Sequence, residues 1–238
     1  MSAAPELSQA DAWWLLDSGR CDFDFNMAMD ESLLTFAAGT CRPVLRFYGW
    51  NQPAASFGYF QKFTEVELLT ALRPLVRRPT AGGIVPHAAD WTYSVAVPTT
   101  NRWYGLKAIE SYRRVQEWVQ AALARLGVES ALAPCCLKAG PGQCFIGYEQ
   151  SDLLWHGRKI AGAAQRRTRD ALLIQGSLQP PPVAKASNRK QWQEAMAACG
   201  TGSFGIAWAP LNPQPGFEEQ VRTLARTKYS QDAYNRKR

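Results

Sequence analysis

The chain has 238 residues, with 27 lysines and arginines against 20 aspartates and glutamates, a net charge of +7, 46% hydrophobic residues and six cysteines. That composition suits a globular chain with a full core. No window of eighteen apolar residues suggests a membrane span, and MSAAPELSQADAWWLLDSGR lacks the basic-then-apolar order of a secretory signal. Six scattered cysteines without a C-x-x-C, beside two distant histidines, argue for reduced cytoplasmic thiols over a disulfide scaffold or a zinc site. The basic excess implies attraction to an acidic partner, with plain solubility charge as the competing reading.

Residues 1–12 read as a loose leader. Residues 26–34 read as a helix with Asn26 as N-cap and Asp30 and Glu31 in its early turns. Met27, Asp30, Glu31 and Leu34 share one face, half acidic and so suited to a polar site as well as a core. Residues 44–50 and 54–60 are aromatic and β-branched and read as strands, punctuated by Asn51-Gln52-Pro53. A short helix over 65–73 precedes a strand at 75–78, and 91–97 alternates like a half-buried strand. The clearest helix covers 104–126: Leu106, Ile109, Tyr112, Val115, Val119, Ala122 and Leu126 form an apolar stripe, and Gly127 closes it. Residues 131–143 are loop-like. Leu153-Leu154-Trp155 and Leu172-Leu173-Ile174 read as strands around a glycine-flanked turn, Gly157-Arg158-Lys159-Ile160-Ala161-Gly162. Helices at about 189–198 and 216–226 and a basic tail over 227–238 finish the chain. With neither a repeat nor a long linker, 1–238 reads as one domain.

Three places carry reactive chemistry. In Arg77-Arg78-Pro79-Thr80-Ala81-Gly82-Gly83-Ile84-Val85-Pro86-His87, two arginines leave a strand into a small-residue loop. Backbone N–H groups there can approach a phosphate or carboxylate, and guanidinium forks supply donors for the same oxygens. An ordinary hairpin loop is the competing reading, since this is neither a P-loop nor a G-x-G-x-x-G element. Lys159 suits a cleft in which it holds a carbonyl or phosphate oxygen, against the commoner solvated turn lysine. Cys144 follows Gly140-Pro141-Gly142 and is a candidate nucleophile. A neighbouring ammonium lowers a thiol's pKa from about 8.5, and a thiolate carries acyl groups; a small buried hydrophobe is the alternative. His87 fits a proton shuttle or a backbone-orienting group. Tyr48, Trp50, Phe57, Tyr59 and Phe60 fit a core or the lining of an alkyl channel.

Taken together these stretches resemble the biotin/lipoate ligase catalytic domain, and most closely its octanoyltransferases. The resemblance runs through DSGRCDFDFNMAMDESLL, LRFYGWNQPAASFGYFQ, RRPTAGGIVPHAADWTYSV, CF…GRKIAGAAQRR…LLIQGSL and ARTKYSQDAYNRKR, in that order over nearly the whole chain. It implies an α+β fold, a mixed sheet with helices around a cleft. It implies that Arg77, Arg78, Gly82, Gly83, Ile84, Val85, His87, Gly162 and Ala163 bind the substrate around the carboxyl end of an octanoyl or lipoyl chain. Cys144 would accept octanoate as a thioester, and Lys159 would lower that cysteine's pKa. Octanoyl acyl carrier protein would be the donor. The acceptor would be a lipoyl-domain protein, a glycine cleavage H protein or a dehydrogenase E2 subunit, and no cofactor would be needed. A ligase member would instead form an acyl-adenylate from ATP with magnesium, and a non-catalytic lipoate-binding or scaffold protein is a third reading. The chain departs from the family pattern at Ala81, where another glycine is usual, at Ala163, where serine is common, and at Gln175, where a histidine usually precedes Gly176-Ser177. A cytoplasmic monomer without nucleic-acid or membrane partners is expected, since the basic residues are scattered and no helix-turn-helix or zinc-finger pattern occurs.

Overall fold

The computed structural model describes residues 12–137, 147–186 and 188–238. The first half runs β1 (Ala12–Cys21), α1 (Phe23–Thr40), β2 (Val44–Trp50), β3 (Ala54–Phe57), α2 (Phe63–Leu69), β4 (Leu75–Arg77), β5 (Val85–His87) and β6 (Trp91–Pro98). The second runs α3 (Ala108–Ala124), β7 (Ala131–Leu132), β8 (Leu153–Trp155), β9 (Arg158–Arg167), β10 (Ala171–Leu178), α4 (Arg189–Phe204), β11 (Ala207–Pro210), α5 (Pro215–Leu224) and α6 (Asp232–Asn235). Among the described residues the strands form a large sheet, β11-β1-β2-β6-β10-β9-β8-β7, and a small one, β4-β3-β5. Strand β1 runs parallel to β11 and β2, and the large sheet is antiparallel from β2 onward. This is the mixed sheet of the expected α+β class.

Both faces of the central strands are covered, so every residue of β2, β6 and β10 is buried. On one face Trp13, Phe47, Tyr93, Val95 and Leu172 pack with Val115, Trp118 and Val119 of α3 and Trp192 and Met196 of α4. On the other, Val44, Tyr48 and Ala96 pack with Met27, Leu33 and Ala37 of α1. The alternation in 91–97 is therefore genuine, but its polar half does not meet solvent. Thr92 and Ser94 face buried carboxylates: their hydroxyls donate to Asp90 at 2.9 Å and to Asp30 at 2.6 Å. A period of two separates two faces without saying what covers either.

Local chemistry moves two boundaries and fixes a third. Helix α1 starts three residues before Asn26, with Asp22 as N-cap. Asn26 lies inside the helix, fully buried, and its amide donates to the Gly49 carbonyl at 2.9 Å. The turn expected over 157–162 shrinks to His156 and Gly157, at φ 48° and 75°. Two consecutive positive φ values match the tight hairpin turns that suit strand twist, so the strand resumes at Arg158, and Lys159 and Gly162 lie on β9. Helix α4 starts with a capping box, in which the Gln191 N–H donates to Asn188 Oδ1 at 2.9 Å and the Asn188 N–H to Gln191 Oε1 at 3.1 Å.

The basic tail is folded. After α5 a π-helical turn, Ala225–Tyr229, leads into α6, and the buried Asn235 docks on β4. Its Oδ1 accepts from the Arg77 N–H at 2.8 Å and its carbonyl from Arg77 Nη2 at 2.8 Å.

Candidate active site

Arg77 and Arg78 are neighbours at the end of a strand, so their side chains leave on opposite faces. The Arg77 guanidinium goes to the C-terminal side, where Nη1 donates to the carbonyls of Tyr59 at 2.8 Å and Gln61 at 2.7 Å. Arg78 goes to the cleft and folds over its own loop: Nη2 donates to the Ala81 carbonyl at 2.6 Å and Nη1 to the Ser56 carbonyl at 3.3 Å. The loop is held down from below as well, where the Tyr59 N–H donates to the Thr80 carbonyl at 2.9 Å. Gly58 allows this contact, since a Cβ there would lie 1.9 Å from the Gly82 carbonyl oxygen.

The cleft has an empty volume of about 500 Å³, part of it open to solvent. Arg78, Gly82, Val85, His87, Lys159, Gly162 and Ala163 line it together. Of the other expected binding residues, Arg77 and Gly83 are not on its wall, and Ile84 packs with Phe57, Phe63, Val66 and Leu75 under the small sheet. Cys144 lies outside the described residues.

His87 is clamped on three sides. Its ring stacks on Trp50 with centroids 3.8 Å apart, Nδ1 lies 2.8 Å from Asp90 Oδ2, and Nε2 lies 2.8 Å from Ser56 Oγ. Asp90 Oδ2 already accepts from the hydroxyls of Thr92 at 2.9 Å and Ser177 at 2.8 Å. It therefore acts as the acceptor toward Nδ1 and leaves Nε2 to Ser56.

The cleft floor is a buried polar cluster that the sequence indicated only in part, through the acidic face of α1. Asp30, fully buried, accepts from Arg46 Nη1 at 2.7 Å and Ser94 Oγ at 2.6 Å on Oδ1. On Oδ2 it accepts from Tyr48 Oη at 2.9 Å and Gln175 Nε2 at 2.7 Å. The other end of the Gln175 amide accepts from Thr80 Oγ1 at 2.7 Å, joining the floor to the glycine loop. Burial first, then the Asp30 carboxylate, pushes the Tyr48 phenol well above its ordinary range. Glu31, adjacent on α1, turns away to Lys228 at 2.6 Å and Tyr229 at 2.7 Å.

Lys159 has only 8% of its side chain exposed, and its Nζ lies 2.6 Å from Asp152 Oδ2. Asp152 and Tyr112 were not expected at the site. Tyr112 was expected in the apolar stripe of the long helix, but its hydroxyl donates to Asp152 Oδ1 in a very short hydrogen bond. An aspartate directly ahead of the apolar run Leu153-Leu154-Trp155 was the available signal.

Comparison with known proteins places this arrangement in a family. The model for the lipoyl protein ligase A/B catalytic domain matches residues 22–180. The chain belongs to that family. Its relatives include octanoyltransferase LipM of Symbiobacterium thermophilum, 32% identical over 269 residues, covering 94% of this chain and 97% of that one. LipM of Geobacillus kaustophilus is 36% identical, covering 71% of this chain, and the chain spans 65% of that relative's length. Among solved structures, protein Ta0514 of T. acidophilum with bound lipoic acid aligns at a TM-score of 0.78, 19% identity, over 95% of this chain and all of that one. Lipoate-protein ligase A bound with ATP aligns at 0.76, 20% identity, over 95% and 98%. At these identities the two structures establish the shared biotin/lipoate ligase type of fold.

Proposed function

We propose that this enzyme moves an octanoyl group from acyl carrier protein, through a thioester on Cys144, to a lysine of a lipoyl-domain protein. The observation that carries the reading is one pocket lined by both the Lys159 ammonium and the glycine loop, in a family whose relatives are named octanoyltransferases. The Cys144 thiolate attacks the donor thioester carbonyl. A new C–S bond forms, the old one breaks, and the carrier thiol leaves with a proton. The acceptor amine then attacks the acyl-enzyme, an amide C–N bond replaces the C–S bond, and the amine's proton is lost while the cysteine is regenerated. Lys159 stabilises the negative charge that develops on the carbonyl oxygen in each step. Met27, Tyr48 and Val85 supply apolar wall for the chain, and Arg78 fixes the loop at its carboxyl end. Its +7 net charge steers acidic protein partners toward the cleft. Among the described residues no helix is long and apolar enough to cross a membrane.

The test is intact-protein mass spectrometry after mixing the protein with octanoyl acyl carrier protein, without ATP. An added octanoyl mass that hydroxylamine removes, and that Cys144→Ala lacks, is the expected result. No adduct, followed by acylation of a lipoyl domain only when ATP, magnesium and free acid are supplied, would replace this reading with the adenylate-forming ligase.

A further inference from the structure

Lysine has a flexible four-carbon stem with many rotamers to lose when it is fixed in place. An ammonium that must meet one developing oxyanion therefore needs something to hold it. Here the holding group is deeper than the cleft. Asp152 is fully buried, just ahead of β8. Its Oδ2 accepts from the Glu149 N–H at 2.7 Å and sits 2.6 Å from Lys159 Nζ. Its Oδ1 accepts from the Tyr112 hydroxyl of α3, and that oxygen accepts in turn from the Ala163 N–H of β9 at 3.1 Å.

The hydrogen-bonded path therefore starts on β9 at Ala163, passes through α3 and the segment before β8, and returns to β9 at Lys159. Gly162, between its two ends, has no side chain to obstruct it: a Cβ there would lie 2.7 Å from Lys159 Cε and 2.8 Å from Nζ. The ammonium is thus folded back over its own strand into space that only glycine leaves open. Burial, then the Asp152 charge, drives the Tyr112 phenol well above its ordinary range, so it remains a donor to the carboxylate.

We propose that Asp152 and Tyr112 are positioning residues that aim the Lys159 ammonium into the acyl pocket. The inference rests on the octanoyl-transfer reading above. Neither residue is on the pocket wall, so both act through Lys159. A purely structural role would place Asp152 in the core as a buried ion-pair partner, with its loss felt in stability alone.

The experiment is steady-state transfer from octanoyl acyl carrier protein to a lipoyl domain, with Asp152→Asn, Tyr112→Phe, Lys159→Ala and the two double variants that combine Lys159→Ala with each. Tyr112→Phe keeps the ring and removes only the hydroxyl, so it serves if Asp152→Asn folds poorly. Displacing a reacting group by about 1 Å costs up to a hundredfold. The expected result is a fall in kcat of about tenfold to a hundredfold for each single variant, little change in KM, and no further fall when either is added to Lys159→Ala. Full kcat in folded Tyr112→Phe, or losses that multiply in the double variants, overturns the proposal. Acetic anhydride labelling of Lys159, read by peptide mass spectrometry, tests the geometry without turnover. Labelling should speed up several-fold in both variants, and unchanged labelling overturns the positioning claim. If the wild-type protein transfers no octanoyl group at all, the functional reading fails by itself and the labelling result still decides this one.

Discussion

Asp30 shows how a single side chain organises the cleft floor. An isolated buried carboxylate is expensive, and a buried pair repays its desolvation only when every lone pair is used. Asp30 meets that condition with Arg46 and Ser94 on one oxygen and Tyr48 and Gln175 on the other. Gln175 fits this floor because an amide donates at one end and accepts at the other: it gives to Asp30 and takes from Thr80. Removing one partner of a fully buried ion pair costs about 3–5 kcal/mol, whereas orphaning a neutral hydrogen-bonded group costs about 1–3 kcal/mol. Arg46→Ala should therefore lower the unfolding free energy by more than Gln175→Leu does, both being read by urea denaturation. Equal and small losses would mean that the floor is hydrated.

The elements around the cleft are held by close backbone contact. The segment between β4 and β5 lies against β3 because Gly58 has no side chain. An alanine there would bring its Cβ 1.9 Å from the Gly82 carbonyl oxygen, so backbone must move. Gly58→Ala should cost about 1–3 kcal/mol of stability, the ordinary cost of overpacking. It should also raise KM for the acyl donor more than it lowers kcat, because the loop moves while Lys159 stays on β9. A crystal structure of the variant with an undisplaced loop would refute this. The same elements show what the sequence could say. Alternation, aromatic richness and the stripe of the long helix located most strands and helices, because those signals come from one segment at a time. The pairing of Arg77 with Asn235, 158 positions away, and of Tyr112 with Asp152, 40 positions away, depends on tertiary proximity, which no local window contains. Arg77 and Arg78 looked equivalent as a dipeptide, and only the strand's alternation separates a cleft residue from a staple. Tyr112 looked apolar because the helical period reports where a ring lies and is silent about its hydroxyl.

At the scale of the whole molecule, several tyrosines couple the fold to alkaline pH. Tyr48, Tyr93 and Tyr229 are almost fully buried. Burial pushes each phenol above its ordinary range, reinforced by the carboxylates of Asp30 at Tyr48, Asp152 at Tyr93 and Glu31 at Tyr229. Tyr234, beside Tyr229, is pushed up to about 12 by burial and then by Glu31. A raised folded-state pKa means that the native state keeps protons the unfolded chain has lost. The contribution of these phenols is thus fully present below about pH 10, the unfolded value, and is lost as pH climbs from there toward the folded values. Each fully buried phenol adds a slope of about 1.4 kcal/mol per pH unit in that window. Tyr59 behaves oppositely: the Lys237 ammonium, hydrogen-bonded to it and charged beside it, lowers its pKa at the surface. Phenolate absorbance near 295 nm should therefore rise in two stages. Half-buried Tyr59, its pKa lowered by Lys237, titrates first with the fold intact, and the buried group ionises only together with the loss of near-ultraviolet circular dichroism. Titration of all eight tyrosines in one step near pH 10, with the native signal retained, would mean that the interior around Asp30 and Glu31 is open to water and that the polar floor of the cleft is not the dry site its hydrogen bonding describes.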